Sequence, residues 1–319
     1  MTPPAQPKLA AAFAHASDAL AIESLHLSSL HLAQALPRPA VVPSEDPSHL
    51  SPLLKWAGGK RWLLPVLQPL WNASHRPKKS SLVAAKGFQR RLVEPFCGGL
   101  AVALGLNPKQ ALLNDANPHL IHFYQQVQQG FRLTVPLKNE EAAYYAARER
   151  FNQLIKEGIA QDTPEAAEWF YYLNRTGYNG LCRFNKKGLY NVPFGKYRTI
   201  GYKTEFSDYQ PTLAPWQFAS GDFSELAIDA NDFVYADPPY DVPFTQYAAD
   251  GFTWADQVRL AEWLSDLPCP VVASNQATDR ILDLYRSLGF EVQTLAAPRR
   301  IACTGDRTPA QEMLAVKGL

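Results

Sequence analysis

The residues best suited to chemistry are Asp237-Pro238-Pro239-Tyr240, which follow the apolar run Phe233-Val234-Tyr235-Ala236. An amino nitrogen attached to an aromatic ring is a poor nucleophile, because its lone pair is delocalised into the ring. A carboxylate and a nearby backbone carbonyl that accept both N–H bonds favour a tetrahedral nitrogen, whose lone pair can then attack a sulfonium methyl. Asp237 and the Pro238 carbonyl suit that task, since the prolines fix the backbone and supply acceptors without a competing N–H. The ring of Tyr240 offers a face on which an extruded base stacks. The plainer reading of the same four residues is a strand ending in a proline turn with a capping aspartate.

Three further segments carry polar or glycine-rich patterns. Glu94-Pro95-Phe96-Cys97-Gly98-Gly99 follows the strand-like Arg91-Leu92-Val93, and its glycines permit close approach to the backbone at the mouth of a parallel sheet. Asp115 ends the next apolar run, Ala111-Leu112-Leu113-Asn114, at a position suited to ribose hydroxyls; it could equally cap the helix that begins at Asn117-Pro118. The segment from Asn174 to Arg183 holds amides and guanidinium groups able to read base edges, namely Asn174, Arg175, Asn179 and Arg183, together with Tyr178, an aromatic able to wedge into a base stack. Asn185-Lys186-Lys187-Gly188 is a turn whose cations suit phosphates, although a solvated hairpin also accounts for it. Lys55-Trp56-Ala57-Gly58-Gly59-Lys60 lacks the spacing and the Ser/Thr of a phosphate loop, which argues against nucleoside triphosphate hydrolysis.

These residues need a scaffold, and the chain is long enough to supply one. Its 319 residues are 46% hydrophobic and 19% charged, a globular composition. The formal charge of +1 does not announce a nucleic-acid partner, so any such surface must be a local basic cluster. Cys97, Cys182, Cys269 and Cys303 are scattered, without zinc spacing or a disulfide framework, which points to a reduced, cytoplasmic protein with no metal. No apolar run reaches the ~20 residues of a membrane span. Asp18 and Glu23 interrupt the N-terminal Ala/Leu-rich stretch where a signal peptide is uniformly apolar.

Apolar strand runs at 91–94, 111–115, 233–237 and 271–275 alternate with helical patterns, among them 253–265 and 278–288, which predicts an α/β protein with a mostly parallel sheet covered on both faces. The interval 137–209 is richer in Tyr, Asn, Arg and Lys and reads as an inserted module. Residues 1–50 form an N-terminal extension in which proline-rich ends bracket an Ala/Leu/His segment with helical character.

In this order the segments closely resemble the bacterial and phage Dam-type DNA adenine methyltransferases, over residues 52–316. The matching stretches are Leu54–Lys60, Val93–Gly99, Asn114–Pro118, Tyr172–Tyr197, Asp237–Tyr240, Gly251–Asp256 and Ser274-Asn275. The resemblance implies a Rossmann-like S-adenosylmethionine-dependent methyltransferase fold with an inserted, mainly helical target-recognition domain carrying a β-hairpin. Residues 51–136 and 210–319 would form the catalytic domain and 137–209 the recognition domain. Trp56, Lys60, Asp115 and Asp237 align with positions that contact S-adenosyl-L-methionine. Glu94, Phe96 and Gly98 fall in its methionine-binding turn, and Asp222, followed by Phe223, matches an acid near the cofactor adenine. Tyr178 matches the residue that intrudes into the duplex, while Asn179, Leu181 and Arg183 match positions contacting a GATC target. Pro193, Lys196 and Arg198 fall where the recognition hairpin continues.

The implied partner is double-stranded DNA, met by a monomer without a metal or a membrane anchor, in a bacterial cell. Amino methylation of cytosine or RNA adenine, and DNA binding without catalysis, are the alternatives. The chain departs from the family pattern in its first 50 residues, in a longer basic connection at 74–90, and at 299–306, where the pattern is one residue short.

Overall fold

Apolar runs such as Leu92-Val93 and Phe233-Val234-Tyr235-Ala236 have no polar face, so they are stable as strands only where both sides are covered. The computed structural model describes residues 50–75, 89–241, 251–297 and 310–319. Most of the N-terminal extension, the basic connection and the 299–306 segment lie outside the described residues. All the described residues belong to one compact unit, 42–319.

Among the described residues seven strands form one sheet: β1 (Arg91–Glu94), β2 (Ala111–Asp115), β3 (Gln217–Ser220), β4 (Asp232–Ala236), β5 (Val271–Gln276), β6 (Glu291–Ala297) and β7 (Ala310–Lys317). Their order is β3-β2-β1-β4-β5-β7-β6, with β3 through β5 parallel and β7 antiparallel to both of its neighbours. This is the mostly parallel sheet expected from the apolar runs, and it has the Rossmann-like form that the family resemblance implies. The pleat sends alternate residues into two cores. Leu92, Leu113, Phe233, Tyr235 and Val272 pack on one face, and Val93, Leu112, Val234, Ala236 and Val271 on the other.

Helices α1 (Leu64–Ser74), α2 (Ala101–Leu106), α3 (Pro118–Gln128), α4 (Glu141–Lys156) and α5 (Pro164–Thr176) contribute to the first core. After the short α6 (Gln210–Leu213), α7 (Trp254–Asp266) and α8 (Asp279–Ser287) cover the second face. Their starts follow from local chemistry. Asn117 accepts hydrogen bonds from the His119 and Leu120 amides with Pro118 in the first turn, Thr163 caps α5 ahead of Pro164, and Thr253 with Asp256 closes a capping box on α7. No described helix is long and apolar enough to cross a membrane.

The crossover from β2 to β3 contains the 137–209 interval, which shares the first core rather than building a separate one. Phe123 of α3 stacks on Tyr171 of α5 at 5.4 Å between ring centroids, and Phe151 of α4 meets Phe170 at 6.1 Å. Beyond α5 the chain forms an irregular hairpin joined by antiparallel bridges between Phe184 and Tyr190 and between Gly177 and Phe194. Its tip is the expected Asn185–Gly188 turn. The Asn185 side chain accepts from the Lys187 and Leu189 amides, and Gly188 takes φ +71°.

Asn174, read from sequence as an amide able to read bases, is instead 2% exposed. It accepts the Lys55 N–H at 2.9 Å and donates to the Lys55 carbonyl at 2.8 Å, tying α5 to the 51–60 loop. Asn174→Ala removes both bonds and strands two backbone groups, so it is expected to cost about 2–3 kcal/mol. Denaturant unfolding measures this loss, and an unchanged midpoint would show that water replaces the clamp.

Candidate active site

In the sheet, β1 leads to β2 on one side while its other neighbour, β4, leads to β5, so the connections diverge between β1 and β4. Open α/β sheets bind ligands at such a switch point, outside the carboxyl ends of the strands. Glu94 ends β1 and Asp237 directly follows β4, so the two segments singled out for chemistry meet there. Lys60 arrives from the N-terminal loop, only 4% exposed, and its ammonium lies 3.1 Å from Asp237 Oδ1 and 3.8 Å from Glu312 Oε1 on β7. It also donates to the Gly58 carbonyl and sits 4.6 Å from the centre of the Tyr240 ring.

Asp237 Oδ1 additionally accepts from Ser274 Oγ, which in turn contacts the Tyr235 hydroxyl. Burial pushes the Asp237 carboxyl above its ordinary range, while Lys60 and Ser274 pull it back. Burial and then the charge of Asp237 push the Glu94 carboxyl well up; burial also raises Glu312, against the pull of Lys60. Lys60 is the sole fully buried lysine or arginine among the described residues, and it pairs with two of these three carboxyls, Asp237 and Glu312. Glu94 Oε1 is buried without a hydrogen-bond partner among the described residues. A ligand that brings an N–H donor would satisfy it.

The turn after β1 is held from below and covered from above. Asn114 donates to the Pro95 and Gly221 carbonyls, and the Tyr124 hydroxyl donates to the Gly98 carbonyl. Asp115 accepts from the Gly98 amide at 3.1 Å and the Asn117 amide at 2.9 Å, and burial raises its carboxyl to about 6 against those two bonds. Asp115 therefore joins two turns, while Asn117 does the helix capping. The glycines make room for Trp56: a Cβ on Gly98 would lie 2.7 Å from the indole Nε1 and one on Gly99 2.9 Å from Trp56 Cβ. Gly98 also takes φ +44°, in the left-handed region.

At the end of β3, Asp222 accepts from the Ser224 amide and receives both Arg259 nitrogens, at 2.7 and 2.8 Å. Those bonds hold its carboxyl well below the usual carboxylate range. Arg259 lies 4.2 Å over the ring of Phe223, and Phe223, Phe96 and Phe252 form an aromatic wall with centroid separations of 5.7–6.3 Å.

The hairpin residues divide by what they touch. Arg175 donates to the Leu53 and Gly201 carbonyls, and Arg183 to the side chain and carbonyl of Asn191. Asn185 is engaged in its own turn. Tyr178 is 48% exposed, beside an Asn179 with φ +52°. Leu181 is partly buried, whereas Lys186, Pro193, Lys196 and Arg198 stand in solvent. From 175 to 203 the chain carries seven Lys or Arg and no Asp or Glu.

Sequence reasoning did not find Glu312, Gln257 or Arg259. Each lies outside a motif, and only the fold brings it to the site. Among the described residues no group of His, Cys, Asp or Glu is placed to hold a metal ion. Cys97 is buried, and burial holds its thiol well above the ordinary range.

A DNA adenine methylase of retron Ec67 from Escherichia coli is 35% identical over 283 residues, covering 84% of this chain and 92% of its own length. The DNA adenine methylase of Vibrio cholerae is 34% identical, covering 82% of this chain and 94% of its own. A DNA N-6-adenine-methyltransferase of Escherichia phage P1 is 32% identical across 83% of this chain, although the match spans 35% of the phage protein. Residues 56–301 match the D12 class as a family, taking in the Trp56–Lys60 loop, both strand-end motifs and the hairpin. The chain belongs to the D12 class of N6 adenine-specific DNA methyltransferases.

Proposed function

We propose that the chain binds S-adenosyl-L-methionine at the mouth formed by β1, β2 and β4 and methylates the adenine of GATC in double-stranded DNA. The observation that carries this reading is the placement of Asp237 and the Pro238 carbonyl at the switch point, with Lys60 fixing the carboxylate. The cofactor, when bound, supplies an electrophilic sulfonium methyl. Trp56, Lys60, Glu94, Phe96, Gly98 and Asp115 would hold its amino-acid and ribose portions, and Asp222 with Phe223 its adenine end. The unpartnered Glu94 oxygen favours a ligand that brings an N–H donor to it.

At the target base, Lys60 and Ser274 occupy Asp237 Oδ1, so an N–H of the amino group is accepted at Oδ2 and the other at the Pro238 carbonyl. As the nitrogen gains its methyl it gives up one proton, which the Asp237 carboxylate takes. Tyr240 stacks on the base, and Pro239 keeps the turn rigid. The recognition module is 137–209. Its solvent-facing Lys186, Lys196 and Arg198 meet phosphates, Tyr178 enters the duplex, and Asn179, Leu181, Pro193 and Arg183 line the target sequence. Arg175 and Asn185 shape the hairpin that presents them.

The test is transfer of labelled methyl to unmethylated plasmid, followed by digestion with nucleases that distinguish methylated from unmethylated GATC. Protection at GATC is expected, with Asp237→Ala inactive but still binding DNA; label without protection would refute the site, and label in cytosine or RNA would refute the substrate. A second expectation concerns charge. Lys60→Met removes a contribution that lowers the Asp237 pKa, so the carboxyl protonates at higher pH and less of it is ionised at any given acidity. The acid limb of single-turnover methylation should therefore move upward by about 1–3 pH units, measured against wild type. Finally, Arg183→Ala should reduce discrimination at one position of the site by about 1–3 kcal/mol. Because Asn191 orients Arg183, Asn191→Ala should lose part of the same discrimination in competition assays against single-base variants.

A further inference from the structure

The segment Asp237-Pro238-Pro239-Tyr240 has very few free torsions. The rings of Pro238 and Pro239 lock their φ angles. A residue that precedes proline is confined to extended ψ, which restrains Asp237 and Pro238 as well. Within the Pro238-Pro239 unit the torsion left soft is ψ of Pro239, which turns the peptide plane between Pro239 and Tyr240 and so helps to set where the Tyr240 ring lies relative to Asp237 and Lys60.

That plane is held by one side chain. Gln257, in the second turn of α7, donates from Nε2 to the Pro239 carbonyl at 2.8 Å. Its Oε1 accepts from Asn275 Nδ2 at 2.9 Å, and Asn275 Oδ1 accepts from the Gln276 amide at 2.8 Å and the Asp241 amide at 3.4 Å. Gln257 and Asn275 are both 0% exposed, at an interface otherwise made by Leu260, Ala261 and Leu264. Two amides in an apolar contact are costly to bury unless each is satisfied, and here their bonds run in one direction, from β5 through α7 to the loop after β4.

We infer that Gln257, oriented by Asn275, is a positioning residue for methyl transfer: by holding the Pro239 carbonyl it fixes ψ of Pro239, the torsion its own ring leaves soft, and so helps to set the Tyr240 ring against the reacting carboxylate. The inference rests on the methyltransferase reading above. Misplacing a reacting group by about 1 Å can cost on the order of 100-fold in rate, while binding by surfaces elsewhere is unaffected. Gln257→Leu should thus lower the single-turnover rate by up to about 100-fold and leave the Kd for DNA near that of wild type.

Loss of rate in the leucine variant alone would not separate positioning from a local packing defect, whereas Gln257→Glu does. Protonated, the glutamic acid donates to the Pro239 carbonyl and accepts from Asn275 as the amide does; ionised, it has no proton to donate and sets an anion against that carbonyl. The nearby carboxylates Asp237 and Asp241 keep their own cations, Lys60 and Arg280, and Asp256 and Arg259 on α7 remain paired with each other. Single-turnover rates of Gln257→Glu and wild type are compared from about pH 8.5 to about pH 6, bracketing the titration of a buried carboxyl. The variant-to-wild-type ratio should rise as pH falls. A ratio independent of pH, whether near one or uniformly low, would overturn the positioning role. Absence of methyl transfer in the wild-type protein would instead overturn the functional reading on which it rests.

Discussion

The mouth of the sheet is organised around one buried ammonium. Lys60 is nearly inaccessible, yet it stands between Asp237 and Glu312 with Glu94 close by. A buried charge is tolerated when it is paired and hydrogen-bonded, and losing a partner leaves the survivors uncompensated. Much of the local architecture can be understood as holding this lysine and its principal partner in register. The two prolines stiffen the loop that bears Asp237, Ser274 reaches across from β5, and the Gly58 carbonyl takes a further proton of the ammonium. The Glu94 carboxyl, pushed well up by burial and by Asp237, keeps one oxygen without a hydrogen-bond partner among the described residues.

The same lysine explains why the 53–60 loop is tied down so thoroughly. Its backbone at Lys55 is clamped by Asn174, its Leu53 carbonyl accepts from Arg175, and a Cβ on Gly180 would lie 2.3 Å from Lys55 Cβ. A few residues on, the Trp56 indole lies over Gly98 and Gly99. One short loop thereby touches the turn after β1, the carboxylate after β4 and the base of the hairpin. The ties between this loop and the end of α5 are made by the Asn174 and Arg175 side chains on the Lys55 and Leu53 backbone, so the loop is fixed at its main chain.

The catalytic half of this arrangement was legible in the sequence because its signals are local. Strands buried on both faces read as continuous apolar runs, and β1, β2, β4 and β5 were found that way. Asn117-Pro118 and the helical pattern beginning at Thr253 announce helix starts locally. What stayed hidden depends on partners remote in sequence. Asn174 sits in a polar run and looks like surface; it is buried because Lys55, 119 residues away, brings its backbone there. Glu312 is one acid in a C-terminal strand until β7 inserts between β5 and β6 and carries it to Lys60. The edge strand β3, Gln217–Ser220, is short and half polar, so its pattern does not separate it from a loop.

The hairpin separates two tasks that its composition alone would merge. Arg175 and Asn185 are engaged with the Leu53 and Gly201 carbonyls and with the hairpin's own turn, which fixes its shape. The exposed lysines and Arg198 contribute little to that shape and supply charge instead. Because the whole chain is nearly neutral while 175–203 carries seven cations and no acids, the remainder is acidic on balance. A local basic cluster in a chain whose remainder is acidic on balance concentrates positive potential at the hairpin, where Tyr178 is 48% exposed.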